Sequence, residues 1–193
     1  MDKIIDCTGL KCPQPVINTK KHFDSIGEGS ATIIVDNEVA TSNISKFAAS
    51  NGFECSSEQK EGLYYLNITK SSCGCKPMSF PNKNLVILVS SDRLGEGSDE
   101  LGTALMKSYL YALSESDNLP SHLLFLNGGV KLTVEGSDSL TSIKALNDKG
   151  VTILSCGTCL DFFNLKEKLA IGEITNMYTI VEKLNSAENT IKL

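Results

Sequence analysis

The chain has 193 residues, with 18 lysines and arginines against 23 aspartates and glutamates, so its formal net charge is -5. That acidic balance disfavours a nucleic-acid surface, which usually needs a basic face. No apolar run approaches the roughly 20 residues that cross a bilayer. The seven cysteines are an odd number and the sequence opens without a signal-peptide pattern. We therefore expect a cytoplasmic protein whose thiols are mostly reduced and serve chemistry or core packing.

The first seventy residues predict the order βαβαββ. The predicted elements are a strand over 3–7, a helix from Pro13 to about Ile26, a strand over 31–36, a helix capped by Asn37, and a hairpin that turns at Glu61-Gly62. Asparagine is a preferred helix N-cap, and glycine is the commonest residue in tight hairpin turns. The order predicts a two-layer sandwich, with both helices on one side of a single sheet.

Residues 71–83 interrupt this pattern. They contain two prolines and a glycine, and they show little apolar periodicity. Such a stretch is typical of a linker. We therefore predict a domain over 1–70, a linker over 71–83 that carries Cys73-Gly-Cys75, and a second domain over 84–193.

The second domain alternates strands and helices. The predicted elements are a strand over 85–91, a helix after Ser98, a strand over 122–127, a helix from Ser137 to Gly150, a strand over 151–155, a short helix ended by Asn164, a helix from Thr175 through Leu184, and a strand in the final TIKL. This alternation predicts a three-layer α/β/α domain with a mainly parallel sheet.

The helix after Ser98 shows the clearest periodicity in the chain. Its residues at 3–4 spacing are Leu101, Ala104, Leu105, Ser108, Tyr109 and Ala112. The glycine-rich loop before it could cradle a phosphate, but it lacks the G-K-[ST] of a phosphate-binding loop. Helix capping by Ser98 is therefore the better interpretation.

Cys12 stands directly before Pro13-Gln14-Pro15. Proline is tolerated in the first turn of a helix and pushes the preceding residue out of the helical region. Cys12 is therefore predicted to be the N-cap, with its sulfur near the free N–H groups and the positive end of the helix dipole, which favours the thiolate. Cys7 lies five residues upstream; it is expected to be a core residue, and a resolving thiol is the alternative.

A second pair of thiols lies in Cys156-Gly-Thr-Cys159, directly after a predicted parallel strand. Parallel sheets bind ligands at the carboxyl ends of their strands, and C-x-x-C entering a helix is typical of thiol–disulfide chemistry. Two core cysteines are the structural alternative. A four-thiolate zinc site with Cys73 and Cys75 is disfavoured, because C-x-C spacing suits zinc poorly and the pairs lie on different domains. No metal and no cofactor are expected.

The stretch DCTGLKCPQP resembles the signature of the TusA-like (SirA-like) sulfur-carrier family. The positions that match are Asp6, Gly9, Leu10, Cys12, Pro13 and Pro15. In that family the cysteine of C-P-x-P carries a persulfide, and this cysteine falls on Cys12. The resemblance covers residues 1 to about 70 and implies the family's βαβαββ fold.

Residues 84–193 resemble the DsrE-like domain, in which a cysteine at the end of a strand carries sulfur; that position falls on Cys156. A chain that joins both domains resembles the YedF-like family, described as sulfurtransferase-like proteins of selenium metabolism. The resemblance implies a sulfur or selenium carrier. It also implies protein partners, namely a cysteine desulfurase or another donor and acceptor proteins, and a homo-oligomer formed through the DsrE-like domain.

The predicted function is a sulfur or selenium relay. Cys12 is the first carrier thiol, Cys156 the second and Cys159 a resolver, while Cys73 and Cys75 are candidate intermediate stops. Two alternatives belong to other classes. One is a dithiol–disulfide oxidoreductase that uses the C-terminal C-x-x-C, and the other is a regulatory or scaffold protein whose cysteines are structural.

Overall fold

The computed structural model describes residues 3–71 and 84–193. These residues fall into two compact units, which lie within Met1–Ser79 and Phe80–Leu193. Cys73 and Cys75, with most of the predicted linker, lie outside the described residues. No helix in the described ranges is long and apolar enough to cross a membrane.

The N-terminal unit has the predicted βαβαββ order. Its elements are β1 Lys3–Asp6, α1 Gln14–Asp24, β2 Gly29–Val35, α2 Glu38–Ser50, β3 Glu54–Lys60 and β4 Leu63–Lys70. The strand order is β1-β2-β4-β3, and β1 runs parallel to β2 while the other neighbours are antiparallel. The turn residues Glu61 and Gly62 have φ angles of 51° and 81°. Two positive φ angles are what a type I′ hairpin turn requires.

Both helices of this unit pack on the same face of the sheet, so the unit has two layers. Its buried core consists of Cys7, Phe23, Ala31, Ile33, Val35, Ala40, Ile44, Ala48, Leu66 and Ile68. Asn37 caps α2 as predicted, because its side-chain oxygen accepts the Ala40 N–H at 2.8 Å. Cys7 is 1% exposed, which confirms that it is a core residue.

The described part of the C-terminal unit is a three-layer α/β/α domain, as predicted. Its elements are β5 Leu85–Val89, α3 Asp99–Ser114, β6 His122–Phe125, α4 Leu140–Asp148, β7 Thr152–Cys156, α5 Gly157–Phe162, β8 Glu173–Thr175, α6 Met177–Ser186 and β9 Asn189–Lys192. The strand order is β8-β7-β6-β5-β9, with every pair of neighbours parallel. α3, α4 and α5 pack on one face of this sheet, and α6 packs on the other.

This unit differs from the prediction at β8, α6 and α4. β8 was not predicted, because a three-residue edge strand is too short to show an alternating pattern. Asn176, and not Thr175, caps α6: its side chain accepts the Thr179 N–H at 3.0 Å. α4 begins at Leu140, so Ser137 lies in the preceding turn and is not the cap.

The helix predicted after Ser98 is present, and the Ser98 hydroxyl accepts the Leu101 N–H at 3.3 Å. The face that it buries is a different one from the apolar stripe seen in the sequence. Leu101 is 58% exposed and Leu105 43% exposed, whereas the buried residues are Gly102, Met106, Leu110 and Ser114. Gly102 explains the choice, because a Cβ there would lie 3.0 Å from the Arg93 Cβ. The helix therefore approaches the β5–α3 loop along its glycine side.

Candidate functional site

The loop from β1 to α1 is held in place by two carboxylates. Asp6 accepts the Thr8 N–H at 2.9 Å and the Thr8 hydroxyl at 2.8 Å, and Asp36 accepts the Gly9 N–H at 2.7 Å. The Thr8 N–H holds the pKa of Asp6, and the Gly9 N–H the pKa of Asp36, below the usual carboxyl range. Gly9 has a φ of 71°, a left-handed conformation that favours glycine. The two acidic residues and the glycine therefore set the path of the chain toward Cys12.

Cys12 is exposed, but it is not the N-cap of α1. The cap is Pro13, since the helix begins at Gln14 and its first backbone bond runs from the Ile17 N–H to the Pro13 carbonyl at 3.2 Å. The predicted cap was therefore wrong by one residue. The missing N–H of proline costs nothing at the cap, so the helix can begin after it.

Beside Cys12 lies a groove of about 40 Å³ between the beginnings of α1 and α2. Its lining residues are Leu10, Cys12, Pro13, Pro15, Val16, Asn37, Val39, Ala40 and Asn43. The Asn43 side-chain amide lies 3.9 Å from the Cys12 sulfur. Apart from the two asparagines and the thiol, the walls are apolar. The fold thus brings Leu10, Pro13 and Pro15, which the sequence motif singled out, to the same groove as Cys12.

The C-terminal pair has a different environment. Cys156 is the last residue of β7 and the N-cap of α5, and it is 2% exposed. Cys159 lies in the first turn of α5, is half-buried, and its sulfur accepts the Asn127 N–H at 3.1 Å. Burial raises the pKa of the Cys159 thiol; the Asn127 N–H opposes this, and a hydrogen bond with the Cys156 thiol raises it further.

The segment that supplies this N–H was not singled out in the sequence. Asn127 follows β6 with a φ of 45°, and the Gly129 N–H donates to the Leu126 carbonyl at 2.8 Å. A Cβ on Gly129 would lie 2.2 Å from the Val89 carbonyl oxygen, so only glycine fits there. A signal was present, since Asn-Gly-Gly directly after an apolar run is a turn pattern.

A buried pair of hydroxyl groups holds the end of β7, next to Cys156. Thr133 and Ser155 are both fully buried, and their hydroxyl oxygens lie 3.0 Å apart. Thr133 also donates to the Val130 carbonyl at 2.9 Å. Because Ser155 precedes Cys156 in β7, this pair fixes the end of the strand against the segment that follows β6.

Two further observations concern the other thiols. Cys55, on β3, is exposed, and its sulfur lies 3.9 Å from the Ser45 hydroxyl. It belongs to none of the motifs described above. Within 3–71 and 84–193 there is no group of three or more His, Cys, Asp or Glu side chains arranged to hold a metal ion. Cys73 and Cys75 lie outside these ranges.

Comparisons with known proteins match the two units separately. The family described as sulfurtransferase TusA matches residues 3–70, and the DsrE/DsrF-like family matches residues 83–193. A protein provisionally named a sulfur carrier in Methanocaldococcus jannaschii is 37% identical over 70 residues, which cover 35% of this chain and 93% of that protein. The sulfur carrier protein TusA of Pseudomonas entomophila is 33% identical over 66 residues, which cover 34% of this chain and 82% of that protein.

Among solved structures, a SirA-like protein from Desulfitobacterium hafniense is 32% identical, covering 34% of this chain and 93% of that one with a TM-score of 0.34. The match to the sulfur carriers spans most of their length, and the DsrE/DsrF-like match spans more than half of this chain. The chain therefore belongs to the TusA sulfur-carrier family through residues 3–70 and to the DsrE/DsrF-like family through residues 83–193.

Proposed function

We propose that this protein holds a sulfur or selenium atom as a persulfide, or its selenium counterpart, on Cys12 and hands it to thiols of partner proteins. The two families indicate a role in sulfur relay. The observation that carries the proposal is the exposed Cys12 sulfur beside a groove lined by Leu10, Pro13 and Pro15. A carrier thiol must be reachable by a donor and by an acceptor, and a mostly apolar groove offers a docking surface at the sulfur.

The transfer step needs only thiol chemistry. A partner thiolate attacks the terminal sulfur of the Cys12 persulfide, the bond between that sulfur and the Cys12 Sγ breaks, and Cys12 leaves as a thiolate. The partner then holds the persulfide. The Asn43 amide, 3.9 Å from the sulfur, is placed to interact with negative charge on the leaving thiolate.

The wider relay is also part of the proposal. The donor is a cysteine desulfurase or another sulfur or selenium donor, and the setting is the cytoplasm and the selenium metabolism of YedF-like proteins. The domains are 1–70 and 84–193, joined by a linker over 71–83. Cys156 and Cys159 form a second sulfur-carrying site, and Cys73 and Cys75 are intermediate stops between the two sites.

Incubation of the full chain with a cysteine desulfurase and cysteine, followed by intact and peptide mass measurement, tests the carrier role. We expect the mass of one sulfur atom to appear on Cys12 and to be lost from that position in Cys12→Ser. Cys55→Ser is the matched control, because Cys55 is also exposed and lies in the same unit. Selenocysteine in place of cysteine tests the second cargo.

Loading of Cys55 to the same extent as Cys12 would mean that exposure alone decides reactivity, and the proposal would be wrong. Two other results would favour the alternatives. Loss of two hydrogen atoms from Cys156 and Cys159 under mild oxidant, with no sulfur gained anywhere, would indicate a dithiol–disulfide oxidoreductase. Neither change would indicate a scaffold or regulatory protein.

The homo-oligomer that we propose for the DsrE-like domain has a candidate surface on α3. Leu101 and Leu105 are exposed there, at a spacing that places them on one side of the helix. Light scattering of the full chain should give a mass above that of one chain, and Leu101→Glu with Leu105→Glu should lower it. A mass that is unchanged by the double substitution would exclude this face.

A further inference from the structure

The accessibility of the C-terminal pair is the reverse of what its sequence suggests. In a C-x-x-C motif at a helix start, the first thiol is the one that the helix N-terminus activates. Here the first thiol, Cys156, is 2% exposed and packs in a cluster with Leu154 and Ile180. Cys159 is half-buried. A donor that approaches from solvent therefore meets the second sulfur and not the first.

Cys159 also has the one backbone donor that the described residues aim at this pair. The Asn127 N–H lies 3.1 Å from the Cys159 sulfur. Asn127 is left-handed, with a φ of 45°, and such conformations in non-glycine residues are uncommon and cluster at functional sites. The glycine-only packing of Gly129 against the Val89 carbonyl fixes the segment, so the donor is preorganised. An N–H at this distance stabilises negative charge on the sulfur that it touches.

The two thiols are close enough to act on each other. Cys156 and Cys159 are three residues apart at the beginning of α5, which places them on one side of the helix. Cys159 packs against the buried cluster that contains Cys156. Cys156 is shielded from solvent, so external thiols do not reach its sulfur. The thiol that Cys156 can react with is therefore that of Cys159.

We propose that Cys159 is the thiol that receives sulfur in this domain, and that Cys156 releases this sulfur as sulfide by closing a disulfide with Cys159. The inference rests on the proposed function only in assuming that persulfide sulfur reaches the C-terminal domain. It reverses the roles that the sequence motif assigns to the two cysteines. It also adds an activity, sulfide release, to the carrying of sulfur.

The step balances as a thiol–disulfide exchange. The Cys156 thiolate attacks the Sγ of the Cys159 persulfide, the bond between that Sγ and the terminal sulfur breaks, and the terminal sulfur leaves as HS⁻. The two cysteines are oxidised to a disulfide while the transferred sulfur is reduced to sulfide. A dithiol reductant must then reduce the disulfide before the next cycle.

The test uses the full chain with Cys12→Ser, Cys73→Ser and Cys75→Ser, so that the first carrier thiol and the two proposed intermediate stops do not contribute. The reduced protein is loaded with glutathione persulfide, desalted, and left without reductant while free sulfide and peptide masses are followed. We expect sulfide to appear in step with a peptide pair that has lost two hydrogen atoms at Cys156 and Cys159.

Three variants in this background separate the roles. With Cys156→Ser the extra sulfur should stay on Cys159 and the release of sulfide should be lost. With Cys159→Ser no sulfur should load on Cys156 and no sulfide should be released, while Cys55→Ser should behave as the parent. If Cys156→Ser does not fold, Cys156→Ala keeps the site apolar and serves the same purpose; circular dichroism of each variant shows which to use.

Three outcomes would overturn the inference: sulfur that accumulates on Cys156 in Cys159→Ser, sulfide release that persists in Cys156→Ser and Cys156→Ala, or a loaded parent that keeps its persulfide and forms no disulfide. The carrier proposal fails separately, if Cys12 is not loaded by a desulfurase. Release by the C-terminal pair would still support the inference in that case. Loading of Cys12 without release would overturn the inference alone.

Discussion

Cys12 and the C-terminal pair of cysteines lie in different physical environments. Cys12 is exposed beside a small, mostly apolar groove, and the Asn43 side-chain amide lies 3.9 Å from its sulfur. Cys156 is buried, the half-buried Cys159 packs against the same cluster, and a backbone N–H lies 3.1 Å from the Cys159 sulfur. The first site suits exchange with other proteins, and the second suits chemistry within one pair of side chains.

The backbone segments next to the two groups of thiols are also held in different ways. The Cys12 loop is held by two surface carboxylates and by Gly9. A Cβ on Gly9 would have open space, so what favours glycine there is the φ angle of 71° and not packing. The segment that faces Cys159 is held by packing against the end of β5, where no side chain fits. Four experiments test this contrast, beginning with the one expected to have the largest effect.

Gly129→Ala should strongly destabilise the C-terminal unit. Its Cβ would lie 2.2 Å from the Val89 carbonyl oxygen, and a clash between a Cβ and a backbone atom cannot be relieved by a rotamer change. We expect the free energy of unfolding of this unit to fall by about 3 kcal/mol or more. Hydrogen exchange resolved by peptide reports on the two units separately. Gly128→Ala is the matched control, because its nearest neighbours would be at ordinary contact distances from 3.6 Å; equal losses in the two variants would contradict the packing argument.

Gly9→Ala should have a smaller effect, confined to the N-terminal unit. There is open space for a Cβ, so the cost comes from the φ of 71°. A left-handed residue with a side chain costs about 1–2 kcal/mol. Urea unfolding and the rate of Cys12 alkylation measure the effect on the unit and on its loop. Gly27→Ala, which also has open space but no positive φ, should leave both nearly unchanged.

The cysteines should differ in their alkylation rates in the native chain. Cys12 and Cys55 should react fast, Cys159 slowly, and the buried Cys7 and Cys156 slowest. Because burial raises the pKa of Cys159 and of Cys7, their thiolates form above the ordinary thiol value of about 8.5, and their rates should keep rising with pH beyond it. The same chain unfolded in urea is the reference. A Cys159 rate that levels off at a lower pH than in the unfolded chain would contradict the burial argument.

Acid should weaken the Cys12 loop by a small amount. The pKa of Asp36 is lowered in the folded state by the Gly9 N–H, so its contribution to stability is present above its unfolded value and is lost as the pH falls through the folded one. The stability of the N-terminal unit should therefore decline below about pH 4, and Asp36→Asn should make this decline shallower. Asp24→Asn, which removes an exposed carboxylate paired with Lys20, is the control. An equal change in both variants would mean that the Gly9 contact has no specific effect.

Local patterns predicted much of this fold. The asparagine at 37, the serine at 98 and the Glu61-Gly62 turn act within three or four residues, and each does what its chemistry favours. The three-layer domain followed from the alternation of strands and helices. The prediction failed where two patterns competed along one helix, as on α3, and where an element was too short to show a pattern, as with β8.

The sequence by itself determined which chemistry is present: a thiol before Pro-x-Pro at a helix start, and a thiol pair after a parallel strand. Only the tertiary structure decided which sulfur of that pair is accessible. The exposure of Cys156 and Cys159 depends on α6 and on the opposite face of the sheet, and the donor at Asn127 lies in the segment that follows β6, the strand next to β7. Burial and such contacts arise between residues that are distant in the chain, so no local pattern contains them.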